Sequence, residues 1–372
     1  MKFLKLISLL SVLYFIFLLS ICACWDLSSY GVNNKNYYIS SVAVYRTRAF
    51  LALPRSMCYN AFSGPTLVET NWIEELLHTP IIKGGRHQIL NYQKWGECEH
   101  IQDAVSLDIE HKVHKLWILD RGNELCLPKI ASFSLFYNSI SEVSQLTNII
   151  GGKLNILTID PVVGKSGQRA YVGNAGENSL LVFSLEKLVW WRLELLELAN
   201  PLSSINADFL AISKTGPELF IASENDLELF ALDLHNLRTL EEPSIIDKKN
   251  TRKENVTLIG KKLGKSRGLE ADFKSGLSYF MMRDYAIVRW LIGSPIEAEY
   301  HNVLAQSYEK FPFVSELFTG PQNGLWAIVN PAGQDGCSNF NETMENLPEL
   351  QSRVVRILRY NKFVRDLEVD RK

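Results

Sequence analysis

The sequence predicts an all-β protein, a six-bladed β-propeller that forms a single domain. A short strand-like apolar segment centred on an aromatic residue recurs six times along the 372 residues. Most copies are followed, after a turn containing Gly, Asn or Asp, by a second apolar segment, which is the pattern of a β-hairpin. Repeats of about 40 to 60 residues made of short strands are typical of propellers, in which each blade is a small antiparallel sheet.

Six aromatic residues mark the repeat. They are Phe50, Trp117, Tyr171, Phe220, Tyr279 and Trp326, at intervals of 67, 54, 49, 59 and 47 residues. The second segments cover 130–135, 180–185, 227–232, 286–292 and, after a loop from 331 to 350, 354–358. Helical stretches are few, with Glu69–Leu77 and Trp191–Leu198 as the best candidates, which disfavours a helical solenoid. Two unrelated β-domains are the alternative architecture.

The N-terminal residues predict the compartment. Lys2 and Lys5 precede an apolar run from Leu6 to Ile21, and small residues follow around Ala23. This order is typical of a secretory signal peptide, assigned to residues 1–24, which leaves 25–372 as the propeller domain and predicts a secreted, extracellular protein. An uncleaved signal anchor is the alternative, since the run is close to the length that spans a bilayer. No second apolar run reaches that length, so we expect no membrane association after cleavage.

The composition is that of an ordinary globular protein, with 47% hydrophobic and 22% charged residues. The formal net charge is −2. Without a basic field there is nothing to attract a phosphate backbone, so nucleic acid is not an expected partner. The oligomeric state is not predictable from these values.

Four cysteines follow the predicted signal peptide, and an even number in an oxidising compartment predicts two disulfides with three possible connectivities. We expect Cys98–Cys126, because both flank the Trp117 strand and the intervening loop is short, and then Cys58–Cys337 by exclusion. Their spacing fits no zinc site. Glycosylation triplets occur in polar stretches, at Asn255 and Asn341.

Several segments resemble the yellow/major royal jelly protein family. Residues 115–122 read Lys-Leu-Trp-Ile-Leu-Asp-Arg-Gly, similar to the family's Arg-Leu-Trp-Val-Leu-Asp-x-Gly. The run 126–128 resembles its Cys-Pro-Pro, 171–191 resembles a segment ending in Ser-Trp-Arg, and 311–330 resembles its Phe-Pro…Leu-Trp…Ser-Asn-Arg segment. The resemblance extends over roughly residues 40–360, with departures at Val113, Trp190 and Pro331.

The resemblance implies a secreted six-bladed propeller whose central channel binds small aromatic amines in some members. A few members convert dopachrome, and most have no known enzyme activity. Asn330 matches an asparagine that contributes to amine binding in such relatives, and Ser315 falls near a hydroxyl position that does the same. Ala332 stands where those relatives often have an aromatic residue. Binding of a biogenic amine, or an extracellular role in pigmentation or development, is therefore the function that the resemblance implies.

Polar residues also follow the aromatic position of several repeats. Asp120, Asn174, Glu224 and Asn330 lie three to five residues after it. If equivalent strand ends meet at one mouth of the channel, these side chains form a ring that binds an ammonium group. The alternative is that Asn and Asp serve there as turn formers.

No assembled catalytic motif is present, so an enzyme is the less favoured class. The sequence contains no Gly-x-Ser-x-Gly elbow and no complete phosphate-binding loop. His111 and His114 are interpreted as a solvated pair, and no cofactor or metal is expected. Two enzymes remain as alternatives, a dopachrome-converting tautomerase and a Ca²⁺-dependent lactonase-like propeller.

Overall fold

Twenty-four β-strands make up most of the part of the chain that is described by a computed structural model. That part comprises residues 22–27, 32, 37–56, 64–72, 82–83, 88–174, 178–197, 204–239, 251–331 and 352–360. One short α-helix, α1 (Leu234–Thr239), and short 3-10 helices at Gln88–Tyr92, Gly151–Lys153, Ala298–Tyr300 and Pro321–Asn323 accompany the strands in these ranges. The prediction of an all-β protein is confirmed.

The strands follow one another along the chain with short connections. In order they are β1 (Cys22–Asp26), β2 (Ser41–Tyr45), β3 (Arg48–Ala52), β4 (Leu67–Asn71), β5 (Ile82–Lys83), β6 (Ala104–Glu110), β7 (Lys115–Asp120), β8 (Lys129–Ser134), β9 (Ser139–Gln145), β10 (Leu154–Ile159), β11 (Arg169–Asn174), β12 (Ser179–Ser184), β13 (Trp190–Glu197), β14 (Phe209–Ile212), β15 (Glu218–Ala222), β16 (Glu228–Asp233), β17 (Thr251–Lys261), β18 (Ser266–Ala271), β19 (Gly276–Met281), β20 (Ala286–Leu291), β21 (His301–Gln306), β22 (Phe313–Thr319), β23 (Gly324–Asn330) and β24 (Arg353–Arg359).

Strands adjacent in sequence pair antiparallel, so the chain folds as a series of meanders. Three sheets are simple meanders: β2-β3-β4, β6-β7-β8-β9 and β18-β19-β20-β21. An eight-stranded sheet contains two four-stranded meanders, β10 to β13 and β14 to β17, joined because β13 pairs parallel with β17. The last sheet contains β22-β23-β24 and is extended by β1 and β5.

Each of the six aromatic positions lies in the second strand of a meander, as the repeat predicts. All six side chains are buried, with at most 1% of their surface exposed. The second strand has neighbours on both edges, and its two faces pack against adjacent meanders, so it consists almost entirely of apolar residues.

The apolar side chains form six clusters, and each cluster lies between two meanders. Phe50 and Phe133 belong to the cluster between the β2–β4 and β6–β9 meanders. Trp326 and Leu51 belong to the one between the last meander and the first. The others fill the spaces between intermediate neighbours. The arrangement is propeller-like, because the packing returns from the last sheet to the first.

The helix prediction for Trp191–Leu198 is wrong, and the one for Glu69–Leu77 is wrong over its first three residues. Glu69 to Asn71 belong to β4, and Trp191 to Glu197 belong to β13; residues 73–80 and Leu198 lie outside the described residues. Burial along β13 alternates strictly, with Trp191, Leu193 and Leu195 turned inward. Its pairing with β12 and β17 supplies the backbone hydrogen bonds that a helix makes internally.

The last sheet joins both ends of the described chain. Strand β1 pairs antiparallel with β24, with Cys22 opposite Val355 and Cys24 opposite Arg353. Residues 1–21 of the predicted signal peptide lie outside the described residues, whereas 22–24 form part of this strand. Cleavage after residue 24 would remove the three residues that pair with β24.

The predicted disulfide between Cys98 and Cys126 is confirmed, with an S–S distance of 2.01 Å. Cys58, Cys337 and the glycosylation triplet at Asn341 lie outside the described residues, and Asn255 is exposed in β17. None of the helices described is long and apolar enough to cross a membrane.

Candidate functional site: the central channel

A polar channel runs where the first strands of the meanders meet. These strands form a ring in which β2 contacts β6, β6 contacts β10, β10 contacts β14, β14 contacts β18, β18 contacts β22, and β22 contacts β2. Two cavities of about 590 Å³ and about 90 Å³ lie in the channel. Glu316 and Ile156 line both cavities and mark the boundary between them.

Side chains on the first strands bond to the backbone of the next meander and hold the ring together. The Ser106 hydroxyl accepts a hydrogen bond from the Leu157 amide at 3.0 Å. The Asp108 carboxylate accepts one from the Ile159 amide at 2.7 Å. The same kind of contact occurs between Ser40 Oγ and Val105 O at 2.7 Å. The channel wall is therefore fixed by bonds that use part of its polar surface.

Three carboxyl groups and two ammonium groups line the larger cavity, and one of the latter, Lys112, lies beside His111 in the exposed turn after β6. Asp108, Glu270 and Glu316 come from β6, β18 and β22, and Lys214 comes from the turn after β14. Lys214 Nζ lies 2.6 Å from Glu270 Oε1 and donates to Thr319 Oγ1 at 2.6 Å. Lys214 is therefore ion-paired with Glu270, and its charge also favours the ionised form of Asp108.

Burial changes the acidity of those two carboxyl groups. Loss of solvent raises the pKa of Glu316 to about 8, and the nearby Glu270 and Asp108 add repulsion. Loss of solvent also raises the pKa of Asp108, to about 6, against the lowering effect of the Ile159 and Ile109 amides. At neutral pH Glu316 is thus mostly protonated and Asp108 mostly ionised.

Aromatic and basic side chains line the smaller cavity and its surroundings. The Arg267 guanidinium lies over the Phe313 ring at 4.4 Å from its centroid and pairs with Glu224 at 2.7 Å. Tyr38, which lies against Phe313, hydrogen-bonds to Ser315 and Arg267. Burial raises the pKa of the Tyr38 phenol despite the adjacent Arg267. The opposing charges at this end are largely paired.

The structure brings only two of the predicted site residues to the channel. Ser315 and Glu224 line the smaller cavity. The Asn174 backbone belongs to β11, and its side chain lies outside the described residues.

Asn330 lies in the packed wall and lines neither of the two cavities. Its side chain is fully buried. The amide oxygen accepts from the Ile39 N–H at 2.9 Å, and the amide nitrogen donates to Ile39 O at 2.9 Å and Ser315 Oγ at 3.0 Å. The amide therefore bonds to a chain segment of the protein itself.

Asp120 is also buried away from the cavities. Its carboxylate accepts hydrogen bonds from the Gln102, Asp103 and Gly122 amides, each at 2.8 Å, and lies 3.2 Å from Lys129 Nζ. The ring predicted from strand ends is not formed, because the aromatic repeat marks the second strand of each meander. The first strands line the channel.

Sequence reasoning missed Asp108, Glu270 and Glu316. Asp108 and Glu316 each interrupt a largely apolar first strand, which is the signal that could have identified them, whereas β18, with Ser266, Arg267 and Gly268 before Glu270, offers no such signal. No group of three or more His, Cys, Asp or Glu side chains in the described ranges is arranged to hold a metal ion.

The meanders and the polar channel define a propeller-like all-β protein with a central cavity. The chain belongs to the major royal jelly protein family, whose model matches residues 104–362. This confirms the resemblance seen in the sequence. A comparison with curated proteins gave no match.

Solved structures with similar folds share little sequence with this chain. The structure of U3-55K is 9% identical with a TM-score of 0.48, and covers 86% of this chain and 81% of its own. Virginiamycin B lyase from Staphylococcus aureus is 11% identical with a TM-score of 0.45, covering 79% of this chain and 78% of its own.

Proposed function

We propose that this protein is a secreted six-bladed β-propeller that binds a small aromatic amine in its central channel. The observation that carries the proposal is the cavity of about 590 Å³, lined by Asp108, Glu270, Glu316 and the aromatic ring of Phe273. Its volume falls within the range of small-molecule sites, about 300–1,000 Å³.

The number of blades is supported by the packing. Six meanders, six aromatic second strands and six apolar clusters succeed one another around the channel. In this assignment the eight-stranded sheet counts as two blades joined at their outer edges by β13 and β17.

Secretion is supported by the disulfide between Cys98 and Cys126, which fits an oxidising compartment. The apolar N-terminal run that follows Lys2 and Lys5 supports the same compartment.

The carboxyl groups of the larger cavity favour a cation, and its second ammonium group, that of Lys112, lies in the exposed turn after β6. Because Lys214 is paired with Glu270, Asp108 contributes a negative charge at neutral pH, and Glu316 can contribute a second one. The ring of Phe273 and the half-buried Phe318 add apolar surface for the body of the ligand. A small molecule with one ammonium group and one aromatic ring matches this lining.

A ligand screen tests the proposal. The purified mature protein is titrated calorimetrically with tyramine, dopamine and serotonin, and with 4-hydroxyphenylacetate as an aromatic compound that carries an anion instead of an ammonium group. We expect saturable binding of at least one amine and no binding of the acid. Absence of binding by all three amines would refute the proposed function.

The substitution Phe273→Ala tests whether the amine binds in the larger cavity, because Phe273 lines its wall. We expect about fivefold weaker amine binding, because the variant loses one aromatic contact of about 1 kcal/mol. Phe136→Ala is the matched control, since Phe136 is 76% exposed on the β8–β9 turn. Equal affinities of the two variants would place the ligand elsewhere.

A further inference from the structure

Glu316 lies at the boundary between the two cavities, and it lies beside a break in strand regularity. The pairing of β22 with β23 shifts register between Val314 and Glu316. In a regular strand neighbouring side chains point to opposite faces, but an extra residue in a bulge redirects them. Ser315 and Glu316 therefore both reach the channel, and Glu316 lines both cavities.

The two oxygens of this carboxyl group have different surroundings. Ser41 and the backbone N–H of Val42, both on β2, hydrogen-bond to the group. Glu316 Oε2 is shielded from solvent and has no hydrogen-bond partner. An ionised oxygen in that position lacks both water and a donor, which is unfavourable, whereas a bound proton or a cation removes the unpaired charge.

Several charged groups surround Glu316, and most of them repel it or are paired with other side chains. His111 and Lys112, in the exposed turn after β6, also line the larger cavity, and the smaller one is also lined by Tyr38, Arg121 and Asp208. Asp108 on β6 and Glu270 on β18 repel its charge. Lys214, after β14, is bound to Glu270 and Thr319. Across the boundary, Arg267 on β18 is paired with Glu224. Strands β2 and β10 contribute no ionisable side chain to the cavity walls beside it.

We infer that Glu316 is the ammonium partner in the channel, and that a protonated amine binds beside it in exchange for the carboxyl proton, which passes to solvent. This inference rests on the proposed function and specifies its ligand class as a compact organic cation with at least one N–H donor. The ammonium donates to the oxygen that otherwise has no partner, and its charge offsets the repulsion from Asp108 and Glu270.

The exchange makes binding depend on pH. The pKa of Glu316 in the free protein is raised to about 8, so below that value the proton must leave before the ammonium can pair with a carboxylate. Amine affinity should therefore rise with pH by up to about tenfold per unit below pH 8, and level off above it. Release of the amine is favoured in an acidic medium.

Calorimetry with tyramine tests the exchange on the full mature chain. Titrations at about pH 7 in buffers with different ionisation enthalpies give the number of protons released per amine bound. We expect close to one proton. In Glu316→Gln we expect no proton release, at least tenfold weaker binding at about pH 8, and little change of affinity with pH. Glu309→Gln, an exposed glutamate outside the channel, should behave like the parent protein.

The outcomes separate the two proposals. No tyramine binding by the parent refutes the amine-binding function together with the exchange. Binding without proton release by the parent, or full proton release in folded Glu316→Gln, overturns the role of Glu316 and leaves amine binding intact. If Glu316→Gln does not fold, the number of protons released is compared between the parent and Glu316→Asp. The shortened side chain of Glu316→Asp should still release a proton, but it should bind tyramine more weakly.

Discussion

Buried polar side chains of this protein connect separate parts of the chain, and Asn330 is the clearest example. Its amide bonds to both backbone groups of Ile39, so it takes the place of a paired strand residue between β23 and the segment that precedes β2. Asp272 has a comparable role, since its carboxylate binds Arg289 at 2.6 Å and the Tyr360 hydroxyl at 2.7 Å. Such groups stabilise the wall because every bond they make replaces one lost from water.

Asn330→Ala should reduce stability and leave the channel unchanged. The Ile39 N–H loses its partner in a buried position and Ile39 O keeps only the bond from Ser315 Oγ, so the free energy of unfolding should fall by about 1–3 kcal/mol. Urea unfolding measures the change, with Asn302→Ala, an exposed asparagine of β21, as the control. Amine affinity per folded molecule should not change. If the stability were unaltered and amine binding were weaker, Asn330 would be a ligand-binding residue instead.

Glu316 should make stability decrease as pH rises. In the unfolded chain a glutamate titrates near about pH 4.3, whereas burial raises the pKa of Glu316 in the folded protein to about 8. Between these values the folded state holds a proton that the unfolded state has lost. The free energy of unfolding should therefore fall by up to about 1.4 kcal/mol per pH unit from this group.

Glu316→Gln should flatten this dependence, measured by urea unfolding from about pH 5 to about pH 8 without ligand. Asp108 contributes in the same direction only up to about pH 6, where its raised pKa lies. Identical pH profiles of Glu316→Gln and the parent would show that Glu316 is ionised like an exposed glutamate.

At the scale of elements, β17 and the Cys98–Cys126 disulfide join parts that the repeat alone leaves separate. The eleven residues of β17 pair antiparallel with β16 and parallel with β13, so two meanders share one continuous sheet. The disulfide joins the segment before β6 to the loop between β7 and β8. Strand β17 covers the exposed edge of β13, and the disulfide holds the segment before β6 against the β7–β8 loop.

Replacing both cysteines, in Cys98→Ser/Cys126→Ser, should reduce the free energy of unfolding by about 3–4 kcal/mol. The bridged cysteines are 28 residues apart, and opening that loop increases the entropy of the unfolded chain. Chemical unfolding of the oxidised parent and of the double variant measures the loss. Peptide mapping of the parent should recover the Cys98–Cys126 peptide; a Cys58–Cys98 peptide would contradict the structure. The pairing of Cys58 with Cys337 stays a prediction for the same map.

At the scale of the whole molecule, Trp25 connects the beginning of the described chain to the packing between the last and first meanders. Trp25 at the end of β1 is fully buried, donates to Asn71 O at 3.3 Å, and lies near Trp72 and the cluster between the last and first meanders. Cleavage after residue 24 would remove the residues that pair with β24, but the mature chain would keep the packing of Trp25 against Trp72 and the cluster between the last and first meanders.

Trp25→Ala should therefore destabilise the whole ring. Removal of a buried indole leaves a cavity between the last and first meanders, with an expected loss of about 3 kcal/mol or more and a lower melting temperature. Trp95→Ala is the control, since Trp95 is 58% exposed. A small effect of Trp25→Ala, similar to that of the control, would show that β1 does not contribute to closure.

The sequence by itself determined the strand repeat, the six aromatic positions, the Cys98–Cys126 bridge and the family. These features are local: a strand with two buried faces requires consecutive apolar residues, and turns require Gly, Asn or Asp. Position in the repeat could not show which strand faces the channel, so Asn330 and Asp120 were assigned to a cavity from which the structure excludes them.

Only the tertiary structure determined which residues line the channel and which segments depart from the sequence-based expectations. Segment 191–197 has residues suited to a helix, but pairing with β12 and β17 makes it a strand. A bulge in β22 turns both Ser315 and Glu316 toward the channel, and strands distant in sequence bring Asp108 and Glu270 beside Glu316. Register, burial and the electrostatic field at a side chain arise from residues far apart in the chain. For this reason no local pattern in the sequence contains them.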